Sequence, residues 1–68
     1  MTNTEKRIFI EEQIKGLEKP IFENSILQKG YAAGGEVAKE QFDKTSATLG
    51  SLIAIRDALQ AELEQIPA

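Results

Sequence analysis

The chain has 68 residues, no cysteine and no histidine, and its 8 basic and 11 acidic side chains leave a net charge of −3. Disulfide staples, thiolate metal sites, and histidine as zinc ligand or general base are thereby excluded, and the acidic balance disfavours a nucleic-acid binder, whose affinity comes largely from basic contacts to phosphate. A domain this short buries only ~60% of the surface its unfolded chain exposes, so association is the remaining route to stability.

The opening Met1-Thr2-Asn3-Thr4-Glu5-Lys6 is polar and leads into no long apolar stretch, so a secretory signal is not expected. The longest charge-free run, Thr45 to Ile55, falls well short of the ~20 residues that span a bilayer.

Thr2 and Glu5 have the Thr-x-x-Glu spacing of a helix-capping box. Ile10, Ile14, Leu17 and Ile21 then follow at steps of four, three and four, which keeps them on one face of a helix. Lys19-Pro20 interrupts this pattern, and a proline at that place predicts a kink, with a short second helix from Pro20 to Lys29 continuing the first at an angle. Gly30 reads as its C-terminal stop. The stretch Gly30-Tyr31-Ala32-Ala33-Gly34-Gly35 reads as the chain reversal, because three glycines within it take left-handed conformations at little cost.

The second arm carries the strongest signal. Phe42, Leu49, Leu52, Leu59, Leu63 and Ile66 fall on a seven-residue repeat, with Thr45 and Arg56 in its two polar places. A second stripe of small residues, Ala47, Ser51, Ala54, Ala58 and Ala61, runs beside it. Between Thr45 and Ser51 poor helix formers crowd together, a place where a break is conceivable. The expected fold is all-α: an antiparallel helical hairpin with a Pro-kinked first arm (about 3–29), a turn (30–35) and a long C-terminal helix (about 36–66), forming a single domain. The arms would span ~40 Å and ~46 Å. Ile10, Ile14, Leu17, Phe42, Leu49, Leu52, Leu59 and Leu63 form the expected core seam.

The last helix offers more apolar surface than one partner helix shelters, since Ile53, Ile55 and the small-residue stripe lie off the main seam. Tyr31, Ala47, Ala54, Ile55, Arg56 and Ala58 are the candidate protein interface. Each has a plainer alternative. The Tyr31 ring can simply cover the end of the hairpin, Arg56 can run its stem along the seam to solvent instead of pairing across an interface, and a folded-over second helix would cover the surplus within a monomeric three-helix bundle.

Chemistry is sparse. Gly30 and Gly35 have the outer spacing of a phosphate-binding loop, but Glu36-Val37 stands where Lys and Ser or Thr are required. Glu36, Glu40 and Asp43 share a helical face with Lys39 and Lys44 among them, so they read as a solvated, mutually paired surface. No serine has a base partner. No catalytic, cofactor-binding or metal site is expected, and no enzyme.

Leu17-Glu18-Lys19-Pro20-Ile21-Phe22, followed after a gap by Leu52 through Leu63, resembles the short helical-hairpin proteins of tailed bacteriophages. In them a Pro-aromatic entry precedes a turn and a long Leu-rich helix. That resemblance implies a virion-associated or assembly protein present in many copies, located in the virion or the host cytoplasm. Phe42 through Leu63 also resembles the final strand and helix of the head-completion family typified by the lambda W protein, although Ser25 to Asp43 lacks the alternating β-branched residues of that family's β-hairpin. The function expected is therefore a non-enzymatic interaction or structural module. Its partner is a second copy or a larger protein assembly, with no nucleic acid, membrane or small-molecule ligand and no cofactor. The alternatives are a head-completion role and a small acidic inhibitor that blocks a host protein.

Overall fold

The structure, a computed structural model, describes residues 1–67. It begins with the capping box: the Glu5 backbone N–H donates to Thr2 Oγ1 and the Thr2 N–H donates to Glu5 Oε1, both at 3.1 Å. Two of the donors orphaned at a helix start are satisfied in this way. These hydrogen bonds from Thr2 hold the Glu5 carboxyl below its ordinary value, the backbone bond contributing most.

From this cap, helix α1 runs Asn3–Ala33 without interruption. Pro20 lies inside it, so the separate angled helix expected from Pro20 onward is part of α1, and no break is seen there. A proline ring crowds the carbonyl four residues earlier and leaves it without a donor. Here that residue is Gly16, which is exposed and has nothing within 4 Å of where a Cβ would stand, so its carbonyl can tilt to water. Asn24 Nδ2 donates to the Pro20 carbonyl at 2.8 Å, tying the next turn back across the proline.

Gly30 does not stop the helix either. Tyr31, Ala32 and Ala33 continue it, and the reversal is confined to Gly34 and Gly35. Gly34 N–H donates to the Tyr31 carbonyl at 3.0 Å, and a Cβ on Gly34 would come within 2.8 Å of the Ala38 Cβ. Gly35 has φ +59°, a left-handed conformation that L side chains resist. One 3₁₀ turn, Gly35–Ala38, leads into helix α2, Lys39–Glu64. The poor helix formers between Thr45 and Ser51 do not interrupt α2, because Thr45 and Leu49 are buried against α1 and packing outweighs propensity.

The helices lie antiparallel as a hairpin. Arg7 Nη1 donates to the Ile66 carbonyl at 3.0 Å, and Gln28 Nε2 donates to Ser46 Oγ at 2.9 Å. Counting inward from these two contacts sets Ile14 level with Leu59, Leu17 with Arg56, and Asn24 with Leu49. In α1 the seam residues Arg7, Ile10, Ile14, Leu17, Ile21, Asn24, Gln28 and Tyr31 step three and four by turns, with Pro20 and Ser25 half-buried beside them. In α2 the seam runs Phe42, Thr45, Leu49, Leu52, Arg56, Leu59 and Leu63 with the same alternation, and Ile66, just past the helix end, continues it. A 3.5-residue repeat on both sides is the signature of left-handed, knobs-into-holes packing.

The result is a rod of 51 × 16 × 14 Å with a radius of gyration of 15.7 Å, against about 11 Å for a compact domain of this length. A three-helix bundle is thereby ruled out. The core is thin. Among the described residues only Ile10 (9% exposed), Leu49 (8%) and Thr45 are buried, and no side chain is fully enclosed.

Two expectations follow. Gly30→Ala, inside α1 with open space around its Cβ position, should stabilise the hairpin by about 1 kcal/mol, whereas Gly35→Ala should destabilise it by about 1–2 kcal/mol; urea unfolding of the two variants measures both. Because the Glu5 carboxyl is held low in the folded chain, its contribution is present above the unfolded glutamate value and lost as pH falls through the folded one. Acid should therefore fray the first turn, and Thr2→Ala, which removes the lesser side-chain hydrogen bond and keeps the backbone one, should move Glu5 only part of the way back toward ordinary titration, both visible by NMR of the Glu5 side chain.

Candidate interaction surface

A heptad seam occupies one side of each helix, and everything beyond its flanks faces solvent. The eight residues expected in the core seam all lie among the least exposed of the chain: Ile10 and Leu49 are buried, and Ile14, Leu17, Phe42, Leu52, Leu59 and Leu63 are half-buried. The six expected interface residues divide. Ala47, Ala54 and Ala58 are exposed along the outer side of α2, and Ile55 stands 49% exposed beside the seam. Tyr31 and Arg56 belong to the seam itself and are half-buried. Tyr31 sits next to the reversal, level with Phe42, and closes that end of the hairpin.

Arg56 lies level with Leu17, where an apolar side chain would pack best. Its Nε and Nη2 donate to Oδ1 of the adjacent Asp57 at 3.3 and 3.2 Å, and its side chain stays 40% exposed. The stem therefore runs along the seam while the guanidinium reaches water. An exposed ion pair of this kind contributes little to stability. The other ion pair among the described residues, Lys44 with Glu40 at 3.1 Å, is an exposed i,i+4 contact of the same weak class.

The larger apolar surface lies partly where periodicity gave no warning. Phe22 is 66% exposed, and Phe9, Ile26 and Leu27 are about as open as Ile55. Phe22 follows Ile21, so it turns outward when Ile21 turns inward. Phe22 and Ile26, four residues apart, then share the outer side of α1. The signal was available: two apolar residues in a row cannot both serve one seam. Val37, in the 3₁₀ turn, is almost wholly exposed at 93%.

At the open end the first turns of α1 and the end of α2 frame a dent of about 410 Å³ lined by Met1, Lys6, Phe9, Ile10, Glu62 and Ile66. It is an open depression with apolar walls and one side chain of each charge at its rim. No group of three or more acidic side chains is placed to hold a metal ion among the described residues. Gly30 lies within α1, so the phosphate-loop spacing noted in the sequence does not form a loop. No helix of the described residues is long and apolar enough to cross a membrane. The β-hairpin implied by the head-completion resemblance is absent from the described residues, since Ser25–Ala33 belongs to α1 and Lys39–Asp43 to α2.

Comparison with protein-family models, curated proteins and solved structures finds no match to this chain. The surface must be judged on its chemistry. That chemistry is apolar side chains on the outside of a thin rod, with Arg56 occupying a mid-seam position where a leucine would pack. Arg56→Leu should accordingly stabilise the hairpin by about 1 kcal/mol, and thermal unfolding followed by circular dichroism should show the midpoint rising by about 4–8 °C.

Proposed function

We propose that this chain is a non-enzymatic protein–protein interaction module, a helical rod that serves as a building block of a larger protein assembly. One observation carries the reading: Phe9, Phe22, Ile26, Leu27 and Ile55 remain open to water on a molecule whose own seam encloses no side chain completely. Burying a large apolar side chain is worth about 1.5–3 kcal/mol, so several such residues left outside supply the driving force for a partner. Exposed apolar surface of this extent is uncommon on proteins that work alone.

Within this reading, the Pro-aromatic entry at Pro20 and Phe22 and the Leu-rich final helix favour a virion-associated or assembly role of the kind found among tailed bacteriophages. That placement rests on the resemblance of those segments. An inhibitor of a soluble host protein uses the same surface chemistry but a different partner.

Light scattering of the purified chain between about 1 and 200 µM separates these cases, since typical protein affinities fall within or below that range. An assembly module should show a mass above the 7.5 kDa chain, or enter purified particles in many copies by mass spectrometry. An inhibitor should instead form a fixed 1:1 complex with one soluble protein and be missing from particles. A chain that stays monomeric throughout and joins neither particle nor protein refutes the module itself.

A further inference from the structure

The two flanks of the hairpin differ in chemistry. In an antiparallel heptad pair, equivalent flanking positions of the two helices fall on the same side of the seam. One flank collects Gln13, Pro20 and Leu27 from α1 with Thr48, Ile55 and Glu62 from α2. The dent at the open end, framed by Lys6 and Phe9 of α1 and Glu62 of α2, lies on this flank and fixes the assignment there. The flanking positions themselves carry no charge from Gln13 to Leu27 and from Thr48 to Ile55, and the shoulder beside them holds Glu23 and Lys44. The opposite flank and its shoulder hold Glu11, Lys15, Glu18, Lys29 and Asp57.

The exposed area exceeds that of a compact chain of the same mass, as the rod shape requires. A folded chain of 7.5 kDa exposes about 4,250 Å² by the usual scaling. This one exposes 5020 Å², an excess of roughly 770 Å². Each partner in a standard specific interface buries about 800 Å². One broad face of the rod, 51 by 16 Å, is also about 800 Å² in outline. A second rod of the same length covers such a face along its whole extent.

Charge selects the arrangement. The open half of the rod, residues 1–18 and 56–68, holds four basic and seven acidic side chains, while residues 19–55 hold four of each. All of the −3 therefore sits toward one end. Rods laid head to tail keep the acidic ends apart, and rods laid side by side in the same sense bring them together. Head to tail, a two-fold axis level with Pro20 and Ile53 brings Lys44 of each copy to Glu62 of the other, because Ile53 is midway between them in α2. Glu62 has no cationic partner within the described residues. Lys44 holds only the open contact to Glu40.

We propose that a second copy of this chain covers the Pro20–Leu27–Thr48–Ile55 flank, the two rods packing head to tail about a two-fold axis so that four helices enclose both seams. The contact is isologous and closes on itself. Around the two-fold axis, Pro20, Leu27 and Ile55 add a third apolar position to the seam, the three-in-seven face that four-helix packing uses, while Gln13, Thr48 and Glu62 occupy the same position farther out. This rests on the association reading and deepens it by naming the partner and the face.

Sedimentation equilibrium of the full chain should give twice its 7.5 kDa mass. Ile55→Glu should weaken the dimer by about tenfold or more, while Phe22→Glu, on the other side of the rod, should leave it unchanged. Lys44→Glu and Glu62→Lys should each weaken it, and the double variant should recover. Since the chain has no cysteine, Ile55→Cys tests the geometry independently of those substitutions. A short thiol cross-linker should join two copies of that variant, but not two copies of Thr48→Cys, whose side chains would lie far apart along the rods. A monomer at millimolar concentration, a dimer indifferent to Ile55→Glu, or an Ile55→Cys chain that does not cross-link overturns the proposal. A monomer that binds a different protein overturns this inference while leaving the association reading intact.

Discussion

Everything in this molecule depends on the meeting of two stripes that repeat every three and a half residues. A two-helix seam is a line of contact, and each side chain in it touches the other helix on one side only. That geometry explains why Ile10 and Leu49 are the deepest apolar residues and why neither is wholly enclosed. It also explains why a chain with a regular pattern of leucines is still thinly built. The hydrophobic term scales with area removed from water, and a rod removes less of it than a globule of equal mass.

The seam of α2 was legible in the sequence because its residues are apolar from Phe42 to Leu63, with only Thr45 and Arg56 intervening. In α1 the legible part stops at Ile21. The spacing continues through Asn24, Gln28 and Tyr31, but polar side chains carry it, and a search for apolar periodicity passes over them. The same blindness made Pro20 look like a boundary. Proline and glycine were weighed by what they do to an isolated helix, and here the packed partner holds the helix through both. The reversal needed only the two glycines whose geometry demands them: Gly35 with its positive φ and Gly34 with its Cβ position obstructed.

The surface was less legible than the seam. Ile55, Ala47, Ala54 and Ala58 could be placed outside from the α2 repeat alone. Tyr31 and Arg56 could not be placed, because each has an apolar body with a polar end and fits a seam as readily as a surface. Phe22 and Ile26 face outward because α1 runs on through Pro20 and keeps Ile21 and Asn24 on the seam.

The hydrogen bond between Gln28 and Ser46 has a mechanical consequence. Leucine seams are tolerant of sliding, since moving one helix by seven residues restores leucine to leucine about 10 Å farther along. Such a slip breaks this contact in either direction, and in one of them it sets Gln28 level with Ile53, against a hydrocarbon side chain, at a cost of about 1–3 kcal/mol. The polar layer acts as a ratchet tooth. It opposes sliding most in the direction that would bring the amide against Ile53, and so favours the register in which the rod has its full 51 Å length.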